Sequence, residues 1–188
     1  MPADRLDEVL DATYECLTRY GVRRTTMDDI ASAMGVSRSA VYQYVRGKDD
    51  AFRRLAGRLH DRALAQARRA AADQDASCAT RIRGVLEAKF DLVLQLSGDS
   101  PHTAELLDEQ ARLFAGICTG FTADLRSLLT ALFAEAGTAG PVTPAQAADI
   151  CLALVVGLES VPAGTHLLRP ASNALLTGLL GAPVEASR

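Results

Sequence analysis

Gly35 stands between two short runs of residues that each open with a helix-capping side chain, and this punctuation fixes the first part of the fold before composition is considered. Thr26 is suited to N-cap a helix, with Asp29 three residues on as the reciprocal acceptor of a capping box. Met27, Ile30, Ala31 and Met34 then recur at helical spacing and predict one buried face. A glycine after the last periodic residue tolerates the left-handed conformation that closes a helix, and Ser37 two positions later is a fresh N-cap. A second helix therefore starts within a three-residue turn, with Val36 at its entrance and Ala40, Val41 and Val45 facing inward.

That second helix leaves Arg38, Ser39, Tyr42, Gln43 and Tyr44 pointing outward or along an edge. Arginine can donate a bidentate pair to guanine, glutamine can pair with adenine, and tyrosine or serine can bond phosphates or touch thymine methyls. Between Tyr20 and Lys48 five basic residues (Arg23, Arg24, Arg38, Arg46, Lys48) face two acidic ones (Asp28, Asp29). The segment is locally positive in a chain of formal net charge -3. These residues form a candidate surface for double-stranded DNA.

The run Gly21 to Phe52, with its paired threonines, D-I-A triplet, G-V-S turn, Tyr-x-Tyr pair and Gly-Lys-Asp entry to a fourth helix, resembles the N-terminal DNA-binding domain of the tetracycline-repressor (TetR) family. The resemblance covers roughly the first third of the chain. It implies DNA contacts from Thr25, Thr26, Ser37, Arg38, Ser39, Tyr42, Gln43, Tyr44 and Lys48. It further implies an all-α fold: a three-helix DNA-binding domain with a helix-turn-helix (1-48), joined by a long fourth helix to a larger ligand-binding and dimerisation domain (49-188). Two positions depart from the family pattern. Asp28 stands where many members carry a basic residue, and Val45 replaces a common phenylalanine with a smaller apolar side chain.

Strand signals are almost absent, and Ala, Leu and Arg recur at helical spacing throughout. Leu6, Val9, Leu10, Thr13, Leu17 and Tyr20 set a first helix that Gly21 stops. A long helix runs from Asp49 through Phe52, Leu55, Leu59, Ala63 and Ala70 to the polar stretch 73–77. Ile82, Val85, Leu86, Phe90, Val93, Leu94 and Leu96 mark the next. The family resemblance implies a short sixth and a long seventh helix between 103 and 136. An eighth spans about Thr143 to Ser160 with Pro144 in its first turn, and a last one, to about Leu180, contains Pro170, which either begins it or kinks it.

Residues 1–60 hold ten Lys/Arg against nine Asp/Glu, whereas 61–188 hold ten against fourteen, which places a nucleic-acid contact at the amino end. No apolar stretch reaches the roughly 18 residues of a membrane span, and Met1-Pro-Ala-Asp-Arg5 leads into an amphipathic helix, so a cytoplasmic protein is expected. Cys16, Cys78, Cys118 and Cys151 are widely spaced and read as core residues in a reducing compartment.

The eighth and ninth helices are apolar around most of their circumference, which predicts cover from a second subunit and hence a homodimer. Two recognition helices related by a twofold axis would read an inverted repeat. The resemblance implies a cavity among helices four to eight whose small-molecule ligand alters the spacing of the two readers and releases DNA. Phe90, Leu94, His102, Phe114, Cys118, Phe121 and Glu159 are the candidate lining, apolar walls with a few polar handles. An enzyme is the rival from another class, but the chain lacks a nucleophile elbow, a phosphate-binding glycine loop and the zinc-hydrolase histidine pair, so neither a catalytic residue nor a cofactor is assigned. Metal sensing would need His60, His102 and His166 gathered with Cys118 or Cys151, and thiol sensing a basic neighbour beside a cysteine.

Overall fold

A computed structural model of the chain describes residues 2–98, 115–161 and 164–181, and among these it contains helices and no strand. The described residues form eight helices in order: α1 (Pro2–Arg24), α2 (Met27–Met34), α3 (Arg38–Val41), α4 (Lys48–Ala72), α5 (Cys78–Gly98), α6 (Ala115–Ala136), α7 (Pro144–Glu159) and α8 (Gly164–Leu180). The helices expected as seventh, eighth and ninth are α6, α7 and α8, and the short sixth falls outside the described residues. Two compact units result, one of Met1–Asp61 with Leu94–Thr119, the other of Arg62–Val93 with Gly120–Arg188.

In the first unit α1 breaks where glycine was expected to stop it, at Gly21 with φ 78° and ψ 168°. Val9, Leu10 and Leu17 are buried, but Tyr20, expected on the same stripe, is 42% exposed. Val9, Ala12 and Cys16 of α1 meet Met27, Ile30 and Ala31 of α2, Val41 and Val45 around α3, and Ala51 of α4 in a single apolar cluster. Complete burial of a valine side chain contributes about 1.5–3 kcal/mol, so Val41 and Val45 suffice to hold so short a helix in place. The smaller Val45 is fully accommodated at 2% exposure. Arg58 of α4 ties back to α1 through Asp7 at 3.3 Å and Asp11 at 2.7 Å.

In the second unit α7 begins as its sequence dictates. Thr143 and Gln146 form a capping box, with Pro144 in the first turn. Pro170 sits inside α8 rather than at its start, where it lacks the N–H that would serve the turn before it. α7 packs on α8. Arg81 of α5, buried, donates to Glu135 of α6 at 2.6 Å and to the Ala71 carbonyl at 2.8 Å.

One expectation is corrected here. The helical stretch Gly116–Ala136 is long and apolar enough, by length and composition, to cross a membrane. Phe121, Leu125, Leu129, Leu132 and Phe133 are buried, while its exposed face carries small and polar residues, including Arg126 paired in parallel with Asp149 at 2.6 and 2.9 Å.

Candidate nucleic-acid interface

The helix-turn-helix is built by local chemistry. Thr26 caps α2, accepting from the Asp29 N–H at 3.2 Å while its own N–H donates to the Asp29 carboxylate at 2.8 Å. The Thr26 hydroxyl also donates to that carboxylate at 2.6 Å, and these bonds hold the Asp29 acid below the usual carboxylate range. Gly35 takes the left-handed conformation, φ 65° and ψ 30°, and its N–H closes α2 on the Ala31 and Ser32 carbonyls. Ser37 caps α3 by accepting from the Ala40 N–H at 3.3 Å.

By its regular bonding α3 is only four residues long, yet the helical course continues. The N–H groups of Gln43 and Tyr44 reach back three residues, to Ala40 and Val41, and that of Val45 reaches back four, to Val41. The last turn is tightened. Arg38, Ser39, Tyr42 and Gln43 are exposed on this segment, opposite buried Val41 and Val45. Side chains with the donors and acceptors for base edges and phosphates are thus held on a rigid element whose far face is anchored.

Arg38 is already engaged. Its Nη1 lies 3.1 Å from the Asp28 carboxylate, its Nη2 donates to the Tyr42 hydroxyl at 3.2 Å, and its guanidinium carbon stands 5.6 Å from the Tyr42 ring centre. The Tyr42 hydroxyl foremost, then the Asp28 charge, favours the charged guanidinium. Asp28, the departure from the family pattern, is therefore the acid that holds the chief candidate base reader.

Three members of the expected DNA-binding set have other employment. Thr25 is corrected outright: it is 1% exposed and its hydroxyl donates to the carbonyls of Gly21 at 2.7 Å and Cys16 at 3.2 Å, so it braces α1 and presents nothing to a phosphate. Tyr44 packs its partly buried ring on the core cluster. Lys48 directs Nζ to the carbonyls of Val22 and Arg23, both at 3.1 Å, which leaves one of its three donors for a phosphate. Thr26, Ser37, Ser39, Tyr42 and Gln43 remain exposed, with the two serine hydroxyls 2.9 Å apart.

A cleft of about 460 Å³ at the N-terminus of α4 is lined by Arg46, Gly47, Lys48, Asp49, Asp50 and Arg53. Asp50 is turned inward onto the Arg46 N–H at 2.9 Å and Arg54 at 3.1 Å. The start of a helix beside Arg46, Lys48 and Arg53 suits a phosphate. Arg53 and Arg54 lie beyond the recognition motif, and only their place at the fourth helix's first turns could have singled them out.

The expected ligand residues are scattered between the two units. Phe90, Phe121 and Glu159 belong to the second, the first two buried and Glu159 ion-paired with Lys89 of α5. Leu94 and Cys118, both half-buried, belong to the first, where Cys118 Sγ lies 3.7 Å from His60 Nε2. His60 Nδ1 sits 2.8 Å from the Ala56 carbonyl, which can only accept, so Nδ1 donates to it. His102 and Phe114 lie outside the described residues. Among the described residues no three His, Cys, Asp or Glu side chains converge as metal ligands would. Burial pushes the Cys16 thiol up to about 11 and the Cys151 thiol up to about 12, the reverse of what a reactive thiol needs.

Residues 9–55 match the family model described as bacterial regulatory proteins, tetR family. Comparison with curated protein sequences gives no match. Solved structures share the architecture along the chain. A transcriptional regulator of Pseudomonas aeruginosa PAO1, described as putative, is 19% identical with a TM-score of 0.73, over 95% of this chain and 91% of that one. SmeT, the repressor of the Stenotrophomonas maltophilia multidrug efflux pump SmeDEF, is 19% identical with a TM-score of 0.71, over 97% and 96%. A TetR/AcrR-family regulator of Thermobifida fusca is 21% identical with a TM-score of 0.64, over 93% and 98%. At such identities the likeness establishes the fold, and the family rests on the N-terminal match. Residues 9–55 thus match the DNA-binding domain of the tetR family of bacterial regulatory proteins, and over its length the chain has the helical fold of the solved structures it is similar to.

Proposed function

We propose that the chain is a ligand-responsive transcriptional repressor that binds an inverted-repeat operator as a homodimer and is released by a small-molecule inducer. Residues 1-48 are the DNA-binding domain, 49-188 the ligand-binding and dimerisation domain, and the protein works in the cytoplasm without catalysing a reaction. The observation that carries this reading is the exposure of Arg38, Ser39, Tyr42 and Gln43 together on a capped, anchored helix beside the basic cleft at α4. The likeness to SmeT, a repressor, supports the sign of regulation.

Dimerisation through α7 and α8 is supported by large apolar side chains that the chain leaves uncovered: Ile150 and Val156 on α7, Val161 just after it and Leu167 on α8, each at least 40% exposed. Two copies would bring two recognition helices to half-sites about one helical turn, roughly 34–36 Å, apart or a multiple of it. An inducer shifts this equilibrium only by its differential affinity for the DNA-bound and released arrangements.

An electrophoretic shift assay with DNA from upstream of the protein's own gene, repeated with a small-molecule library, tests the reading. Two protomers per duplex and release by at least one compound are expected. One protomer per duplex, or a complex that no ligand perturbs, argues against it.

A further inference from the structure

We infer that Arg83 of α5 is the counter-charge for a singly charged organic carboxylate bound within the second unit, an inference that rests on the ligand-responsive reading above. Three cations are buried along α5: Arg81, Arg83 and Lys89. Two are matched, Arg81 by Glu135 and Lys89 by Glu159. Arg83 is 8% exposed, its Nε has no hydrogen-bond partner, and among the described residues its guanidinium makes no ion pair, not even with Glu87 one turn on.

Arginine does not shed its proton in a protein, and among the described residues no acid pairs with this one. A buried, unpaired cation is costly to keep, and a ligand anion that pairs with it recovers that cost on binding. The charge of the ligand follows from the balance along α5: among the described residues Glu135 and Glu159 are already spent on Arg81 and Lys89, and one positive charge is left over, which fits one carboxylate. Its organic character follows from the surroundings on the same helix. Leu86 and Phe90, three and seven residues on, share the Arg83 face and are buried, and Ile82 is buried beside them. An apolar body against that face with an acid at its end matches both features.

The test uses the full-length protein without DNA. Thermal unfolding of wild type, Arg83→Met and Arg83→Lys is followed with octanoate and benzoate, with the matching octanol and benzyl alcohol, and with acetate and inorganic phosphate at equal ionic strength. Octanoate or benzoate should raise the wild-type Tm more than its alcohol does. Arg83→Met should melt higher than wild type in the absence of ligand and lose the carboxylate-specific shift, and Arg83→Lys should keep part of it. Equal or absent responses to acids and alcohols would overturn the assignment, as would a carboxylate shift that survives in Arg83→Met, or a lower Tm for that variant without ligand. An acetate or phosphate effect as large as that of octanoate and benzoate would contradict the organic ligand and leave a small-anion site. Should Arg83→Met not fold, it also counts against an unpaired charge, and Arg83→Lys still reports the carboxylate preference. Stabilisation by a carboxylate that never releases operator DNA would count against ligand-responsive regulation and leave Arg83 as assigned, whereas release by uncharged compounds alone would count against Arg83 only.

Discussion

Asp28, in the first turn of α2, holds Arg38, the first residue of α3, across 3.1 Å. An exposed pair of this kind is weak, and it must open before Arg38 can turn to a base edge. Asp28→Asn should therefore strengthen operator binding by a few-fold, up to about fivefold, because it removes both the competing acid and a negative charge near DNA phosphates. Arg38→Ala should weaken binding about ten- to hundredfold and relax one base preference. Fluorescence anisotropy at fixed salt measures both, and an Asp28→Asn variant that binds more weakly would mean that Asp28 positions Arg38 productively instead of restraining it.

Lys48 bonds two carbonyls at the end of α1, so its removal has two readouts. Lys48→Met should cost about 1–2 kcal/mol of stability, since it strands two partly exposed acceptors. If its third donor also grips a phosphate, the slope of log affinity against log salt should fall by about 1. Urea unfolding and salt titration measure the two separately. A stability loss with an unchanged slope assigns Lys48 to bracing alone.

Gly35 has open space around its Cα, so the cost of a side chain there is backbone strain alone. Gly35→Ala should destabilise the protein by about 1 kcal/mol, and Gly35→Asn by less, because asparagine visits the left-handed region more readily. An Ala variant as stable as wild type in chemical denaturation would contradict the strain.

The caps and stops at Thr26, Gly35, Ser37 and Thr143 were legible because each acts through residues within four positions of itself. Thr25 and Lys48 were not, since their roles depend on carbonyls nine and 26 residues away, contacts that only the folded chain brings about. Shared motif spacing placed them with the DNA contacts, whereas packing buries Thr25 and ties Lys48 to the end of α1. The stripe from Ile82 to Phe90 was read from its apolar members, and such periodicity passes over a charged residue inside it. Arg83 and Lys89 therefore carry no signal of that kind, and Glu159 is legible as a polar handle without its partner. No unbroken apolar run marked α6 in the sequence, although its length and mean composition suffice for a membrane span, because scattered polar residues such as Arg126 interrupt the run.

Lys89 and Glu159 form a largely buried ion pair between α5 and α7. Lys89→Met or Glu159→Leu alone should cost about 3–5 kcal/mol, because each strands a buried charge, whereas Lys89→Met with Glu159→Leu should cost markedly less. Denaturant unfolding of the three variants gives the coupling. Equal losses in the double and single variants would show that the pair contributes packing alone.

Cys16 and Cys151 carry thiols that burial holds at about 11 and about 12, against an ordinary 9.0. A raised folded value contributes stability that is complete below the unfolded pKa and is lost as pH rises through the folded one, so alkaline destabilisation should set in above about pH 9. In the folded protein at pH 8 neither cysteine should react with a thiol reagent. Rapid labelling of either one, located by mass spectrometry, would reopen thiol sensing.

The most direct measurement is fluorescence anisotropy of the full-length chain with a duplex from upstream of its own gene and with a shuffled duplex of equal length, across a range of salt. The upstream duplex should bind far more tightly, with two protomers per duplex, and substitution of Arg38, Tyr42 and Gln43 together by alanine should abolish the preference while leaving the fold intact. Equal affinity for both duplexes, or a preference that survives the triple substitution, would contradict the assignment of the outward face of α3 as the reader of DNA.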